Sequence, residues 1–375
     1  MNFPIYLDNN ATTRIAPEVL KEMMPYLTDK FGNASGNTHI FGREASEAIE
    51  KARRQIAALI NCTPEEIIFT GSSTESINLA LKGLIENSSV QNPHIITSCI
   101  EHKAVLNTLS YLQSYGVKVT YLNVDGEGFI DPLELKKQIT GNTVLVSIMA
   151  ANNEIGTLQP IKELSEICSE AEIPFHSDAA QFIGKLPLDL NSINIDLLSF
   201  GAHKFYGPKG IGALYINKYK GLKIAPQIHG GGQEHGFRSG TYDTASIVGF
   251  GKAAELSKEK MYEDAGIQTK WQRDIIDAFL GSGKGSLLNG PKTNRLPNNI
   301  NITMGDMTNS MFITKFREFA VSFGSACSSE TLQPSYVLSN IGRTNQQISS
   351  SIRIGTGRFN TDEEIKYFIK RITEY

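Results

Sequence analysis

The sequence predicts an α/β fold: a mostly parallel seven-stranded sheet covered by helices on both faces, followed by a smaller α+β domain. Three observations carry this. Short apolar runs alternate with segments of helical period from residue 42 to residue 216. Several of those runs are apolar almost throughout, as strands buried on both faces must be. After about residue 250 the alternation gives way to a long helical stretch, turn-rich segments and short strands. The expected large domain spans 15–250, and residues 1–14 pack with 251–375 in the small one.

The elements follow in order. In "GREASEAIEKARRQIAALI", Ala45, Ile49, Ala52, Ile56 and Leu59 recur at steps of three or four, which marks one face of a helix. "EEIIFT" reads as a strand, and "GSSTESINLALKGLI" turns straight into a helix. "HIITSC", "VKVTYL", "TVLVSIMA", "IPFHSDA", "IDLLSF" and "GIGALYI" supply six further strands; "KAVLNTLSYLQSY", "PLELKKQI" and "IKELSEICSEA" supply helices between them. Beyond them, "ASIVGFGKAAELSKEKM" opens a helical region running towards Leu280, "NNINITMG" and "IRIGTG" read as strands, and "MFITKFREF" and "DEEIKYFIKRI" as helices.

Composition narrows the function. The chain has 375 residues, 40% of them hydrophobic, and a formal net charge of −3, so bulk charge does not favour nucleic acid. Cys62, Cys99, Cys168 and Cys327 form no CxxC spacing, which fits a reducing compartment and argues against a thiolate zinc site. "MNFPIYLDNN" does not read as a signal peptide, and no apolar run reaches the roughly 18 residues of a spanning helix. The expectation is a cytoplasmic protein with no metal and no membrane association.

Ligands in open α/β sheets lie beyond the carboxyl ends of strands, and polar residues collect there in this sequence. Gly71, Ser72, Ser73 and Thr74 lie between a strand and a helix, where backbone N–H groups cradle a phosphate or merely cap the helix. His102 follows "TSCIE", Asn152, Asn153 and Glu154 follow "SIMAA", Asp178 and Gln181 lie in "HSDAAQ", and His203 and Lys204 in "SFGAHK". One such residue is an ordinary turn residue; four such strand ends in one sheet suggest a common crevice.

An aldehyde cofactor explains the set. A lysine amine condenses with pyridoxal phosphate, and a carboxylate beside the ring nitrogen keeps that nitrogen protonated. Lys204 and Asp178 suit these roles, His102 suits a flat neighbour of the ring, Thr74 and His203 suit the phosphate, and Asn153 and Gln181 the phenolic oxygen or substrate. The plain alternative for Lys204 is a solvated loop amine. Cys327 stands in "VSFGSACSSE", among Gly324, Ser325, Ser328 and Ser329, and reads as an exposed thiol able to act as a nucleophile. Arg353, in "SIRIGTGRF", fits a substrate carboxylate bidentately or an acidic neighbour.

At these residues the sequence resembles the cysteine desulfurases of the NifS/IscS type. The matching pieces are "YLDNNATT", "GSSTESINLALKG", "EHKAVL", "NNEIGTLQP", "HSDAAQ", "AHKFYGPKGIGALY", "GGGQEHGFRSGT", "GSACSS", "PSYVL" and "IRIGTGRF", in the family's order across nearly the whole chain. The resemblance implies a fold type I, pyridoxal-phosphate-dependent homodimer of the class V aminotransferase kind, converting L-cysteine to L-alanine. It implies that Lys204 binds the cofactor covalently, Asp178 pairs with the ring nitrogen and His102 stacks on the ring. Gln181 and Asn153 contact cofactor or substrate, and Ser73, Thr74 and His203 hold the phosphate. Thr241 reaches the phosphate of the neighbouring subunit, Arg353 holds the substrate carboxylate, and Cys327 takes the sulfur as a persulfide. "FGSACSSETLQPSYVL" resembles the long-loop subclass, whose segment around 324–333 is expected to move. Two departures stand out. "SFGAHK" has Gly201 where the best-known members carry a serine in "SFSGHK", and the sequence ends soon after "FIKRITEY", where housekeeping members continue. The sulfur acceptor therefore stays open among iron–sulfur cluster assembly, tRNA thiolation and DNA phosphorothioation systems, with no direct nucleic-acid contact expected. The alternatives are a selenocysteine lyase, another small lyase or aminotransferase of the same fold, and an inactive scaffold that binds the acceptor.

Overall fold

The computed structural model describes residues 3–36, 38–323 and 334–374. After β1 (Ile5–Tyr6), α1 (Pro17–Leu27) and α2 (Ile40–Ile60), strands and helices alternate: β2 (Ile67–Thr70), α3 (Ser73–Glu86), β3 (His94–Ser98), α4 (Lys103–Ser114), β4 (Lys118–Leu122), α5 (Pro132–Gln138), β5 (Thr143–Ser147), α6 (Ile161–Glu170), β6 (Phe175–Asp178), β7 (Leu197–Gly201) and β8 (Gly212–Ile216). These strands form one sheet in the order β2-β8-β7-β6-β5-β3-β4. Strand β8 runs antiparallel to both its neighbours, and the other pairs are parallel.

Alternation along each strand divides its side chains between two covers. Ile68, Ile95, Leu145, Leu197 and Leu214 pack with Ile77, Leu81, Val105 and Leu109 of α3 and α4. Ile67, Phe69, Ile96, Val146, Phe175, Leu198 and Phe200 face the other way, towards Ile49 and Ile56 of α2. Strands β3, β6, β7 and β8 are buried throughout, whereas β4, at the edge, is mostly uncovered.

The helix α7 (Thr244–Gly281) is 38 residues long and belongs to both parts of the molecule. Ile247, Phe250 and Ala254 lie in the core of the large sheet. Trp271, Ile275 and Phe279 lie in a second core with Ile5, Leu7, Ile300, Ile302, Ile352 and Phe368. That second core is built by β9 (Leu287–Leu288), β10 (Asn299–Thr303), α8 (Asn309–Lys315), β11 (Phe319–Ala320), β12 (Ser351–Gly355) and α11 (Asp362–Thr373), while α9 (Tyr336–Asn340) and α10 (Asn345–Ser349) pack Val337, Leu338 and Ile348 against Ile100 and Ile155. Its sheet has the order β12-β10-β9, and β1 pairs in parallel with β11. Helix α1 escaped the sequence reading because its apolar stripe is thin: only Val19 and Met23 are buried, and Pro25 lies within it.

Candidate functional site

Between β3 and β5 the chain changes direction across the sheet, since β3 is flanked by β4 on one side and β5 on the other. Such a reversal leaves a crevice at the carboxyl ends of the strands. A pocket of about 200 Å³ gathers Asn10, Ala11, Ser73, Thr74, His102, Met149, Ala151, Asn153, Asp178, Ala180, Gln181, His203, Lys204 and Arg353. Of the residues expected to bind cofactor or substrate, Thr241 lies in a separate cavity of about 100 Å³ that Gly71 also lines, and Ser72, Asn152 and Glu154 stand behind the pocket's lining. Cys327 lies outside the described residues.

Local structure sets each side chain. Ser72 is the N-cap of α3 and accepts from Glu75 N at 3.2 Å, so the capping duty falls on Ser72 and leaves Ser73 and Thr74 to the pocket. His102 caps α4, its Nδ1 accepting from Ala104 N at 3.1 Å. Asn152 Oδ1 accepts from the backbone N–H of Glu154 and Ile155, folding the turn that presents Asn153. Asp178 ends β6, and its Oδ1 accepts from Ala180 N at 2.9 Å. Lys204 sits in the single turn after β7, and its Nζ donates to Asn10 O at 3.0 Å and Ala11 O at 2.8 Å. The same turn is held from the other side, where Thr13 N and Oγ1 both donate to His203 O.

Charge is concentrated and enclosed here. Burial pushes the Asp178 carboxyl up, while His102 and Lys204 pull it back. Burial, then the charges of Lys204, Lys209 and Lys185, hold the His203 imidazole down at about 4. Glu101, fully enclosed beneath His102, is pushed up to about 8 by desolvation, against hydrogen bonds from Met149 N and Ser98 Oγ. Arg353 is 1% exposed; its Nη1 donates to Asn153 O and its Nη2 to Asp8 Oδ1, so the acidic neighbour and the pocket share one guanidinium.

Sequence reasoning missed Asn10 and Lys185. Asn10 O accepts from both Lys204 Nζ and Gln181 Nε2, and Lys185 Nζ donates to Gln181 Oε1 at 2.7 Å. The signal for Asn10 was the Asn-Asn pair in "YLDNNATT"; Lys185 gave none beyond its place four residues after Gln181.

The described residues on either side of 324–333 are bonded to the elements that carry Arg353, Glu154 and Glu101. Ser322 exchanges both backbone hydrogen bonds with Arg353. On the far side Ser335 Oγ donates to Glu154 Oε1, and Tyr336 OH donates to Glu101 O at 2.6 Å.

The donor set fits pyridoxal phosphate: a lysine amine at a strand end, a buried carboxylate, and a helix N-terminus flanked by Ser73 and Thr74. Asn10 Oδ1 and Arg353 Nε are buried with no protein partner, as atoms reserved for a ligand would be. Among the described residues no cluster of His, Cys, Asp and Glu could hold a metal ion, and no helix is long and apolar enough to cross a membrane.

Comparison with known proteins agrees with this geometry. The family model described as aminotransferase class-V matches residues 5–368. Cysteine desulfurase IscS of Neisseria meningitidis serogroup A is 48% identical over 97% of this chain and 90% of its own length. A solved NifS-like protein superposes with a TM-score of 0.92 at 39% identity, covering 99% of this chain and 98% of the other. A protein named SspA, solved in complex with cysteine, superposes with a TM-score of 0.85 at 39% identity over 95% of this chain and 99% of the other.

Proposed function

The chain belongs to the aminotransferase class-V family and, within its fold type I architecture, to the cysteine desulfurases of the NifS/IscS type, and from that premise we propose that it converts L-cysteine to L-alanine and passes the sulfur on from Cys327. One observation supports this most: Ser73, Thr74, His102, Asn153, Asp178, Gln181, His203, Lys204 and Arg353, from separate strand ends and the small domain, line one pocket.

Pyridoxal phosphate, when bound, supplies an electrophilic aldehyde and a ring that withdraws electrons from the substrate's α-carbon. Lys204 Nζ would hold it, and the same amine stands where it could move the substrate's α-proton. His102 Nδ1 is engaged as the acceptor for Ala104 N, so Nε2 is the ring nitrogen that would meet cofactor or substrate. Asp178 would pair with the ring nitrogen; burial disfavours its charge, and a cationic N–H partner would restore it. Ser73, Thr74, His203 and the first turn of α3 hold the phosphate. Asn153 and Gln181 orient, and Arg353 grips the substrate carboxylate.

The thiolate of Cys327 then attacks the substrate sulfur. The new S–S bond forms as the substrate's carbon–sulfur bond breaks, and the carbon fragment keeps the electron pair and takes up a proton. L-Cysteine and a thiol become L-alanine and a persulfide, and no outside oxidant or reductant is needed. The acceptor is a protein of an iron–sulfur assembly, tRNA-thiolation or DNA-phosphorothioation system. The enzyme works in the cytoplasm as a homodimer in which Thr241 contacts the neighbouring subunit's phosphate; its position outside its own subunit's pocket supports that reading.

Borohydride reduction of cofactor-loaded protein followed by peptide mapping tests it. The label should sit on Lys204, and alanine should form from cysteine in the wild type but not in Cys327→Ala. Label on another lysine, or undiminished turnover without the thiol, overturns the reading; release of selenium but not sulfur would favour a selenocysteine lyase.

A further inference from the structure

The turn that would cradle the phosphate contains a carboxylate. Glu75 is the third residue of α3, two positions after Ser73, in the first turn of the helix whose N-terminus faces the pocket. Its Oε2 accepts from Gly71 N at 2.8 Å, and its Oε1 accepts from Arg238 Nε at 2.8 Å. A Cβ at Gly71 would fall 2.7 Å from that Oε2 and 3.9 Å from Arg238 Nη2, so a glycine there leaves room for the carboxylate and the guanidinium. Arg238 comes from "GGGQEHGFRSGT", 163 positions away, and lines the same cavity as Gly71 and Thr241.

A carboxylate in the first turn of the helix whose N-terminus would hold a phosphate opposes the dianion, and this one takes up the Gly71 N–H. Its charge must be cancelled for the cradle to work. The pair is three-quarters enclosed, with side-chain exposures of 27% for Arg238 and 23% for Glu75, so solvent screens it only in part. Resting on the proposed cofactor reading, we infer that Arg238 is a positioning residue for the cofactor phosphate that acts through Glu75. It neutralises that carboxylate and ties the 229–242 segment to the cradle, and so sets the preference for the phosphorylated over the phosphate-free cofactor. The charged group bonded to Glu75 is Arg238, and Lys204 lines the pocket that Ser73 and Thr74 share.

Binding of pyridoxal phosphate and of pyridoxal to the cofactor-free full chain, followed by fluorescence quenching, separates the possibilities. Arg238→Met should weaken pyridoxal phosphate by about tenfold, the size of one uncancelled neighbouring charge, and leave pyridoxal nearly unchanged. Glu75→Gln removes the charge, keeps one of the two acceptor contacts because an amide offers a single acceptor oxygen, and should bind at least as tightly as wild type. The double variant Glu75→Gln/Arg238→Met should recover most of the lost affinity. If it stays as weak as Arg238→Met, Arg238 does not act through Glu75 and the inference fails. Should Arg238→Met not fold, Glu75→Gln still decides, because a tenfold loss there contradicts a repulsive carboxylate. A wild type that binds neither probe brings down the cofactor reading itself; one that binds both, with variants that shift both equally, brings down only this inference.

Discussion

Arg353 Nη2 donates to Asp8 Oδ1 at 2.8 Å while Arg353 Nη1 donates to Asn153 O at 3.1 Å, so the guanidinium is aimed before any substrate arrives. Its Nε is buried without a protein partner, and the fork keeps donors in reserve. A lysine offers its three donors from one nitrogen and cannot reproduce the fork that spans both anchors and grips a carboxylate bidentately. Arg353→Lys should raise KM for L-cysteine tenfold or more, the worth of about one charged hydrogen bond, with a smaller change in kcat. Asp8→Asn keeps an acceptor and removes the competing charge, so KM should not rise. Steady-state kinetics on both variants decides; an unchanged KM in Arg353→Lys would mean that the fork serves Asp8 alone.

Gly201 tests where the phosphate contacts lie. A Cβ there would sit 3.5 Å from Ser73 N and 3.6 Å from Ser73 Oγ, ordinary contact distances, so a serine fits and its hydroxyl would reach the place that Ser73 now serves. Ser73→Ala should weaken pyridoxal phosphate by roughly threefold to tenfold, one neutral hydrogen bond, and Gly201→Ser in that background should restore it. Equilibrium dialysis of the two variants measures this, and a Gly201→Ser that restores nothing refutes it.

The segment leading to Thr241 hangs on a buried ion pair. Arg53 Nη1 and Nη2 reach Glu234 Oε2 and Oε1 at 2.8 and 2.7 Å, Phe69 N donates to the same carboxylate, and the guanidinium lies over the Phe69 ring. Removing Glu234 leaves the buried guanidinium with only the half-exposed Glu50, at 3.1 Å from its Nε, as a counter-charge. Glu234→Leu should cost about 3–5 kcal/mol in urea unfolding. The double variant Arg53→Met/Glu234→Leu should recover much of it; a double variant as unstable as the single would deny that the stranded charge is the cause.

Acid should destabilise the protein through His176. Its ring lies between Ser147 Oγ at 2.8 Å and Ser199 Oγ at 2.9 Å, and burial pushes it down to about 3. Its folded value lies below its unfolded one, so between about 6.5 and 3 the unfolded chain binds the proton and the folded chain does not. The contribution is intact above the unfolded value and is lost as pH falls through that window, by up to about 1.4 kcal/mol per pH unit. In unfolding measured from pH 7 to pH 4, His176→Gln should show a shallower decline; an identical slope would exclude the imidazole as its source.

The sequence by itself determined the sheet and the places where chemistry gathers. Thr74, His102, Asn153, Asp178 and Lys204 each follow an apolar run within a few residues, and a parallel sheet puts the ends of such runs on one edge whatever the details of packing. Hydrophobic period and strand-end position are local properties, so they can be read locally. Tertiary structure decided what those residues touch. Lys204 finds its acceptors in Asn10 and Ala11, Arg353 finds Asp8 345 positions away, Arg238 finds Glu75, and Thr241 falls outside the pocket. Apart from Arg238 and Glu75, which meet within the large domain, these partners come together only once the N-terminal segment and the small domain pack against the sheet. No spacing in the sequence encodes a contact that two separate cores must first bring together, and so the pairing of charges, unlike their presence, was settled by the fold.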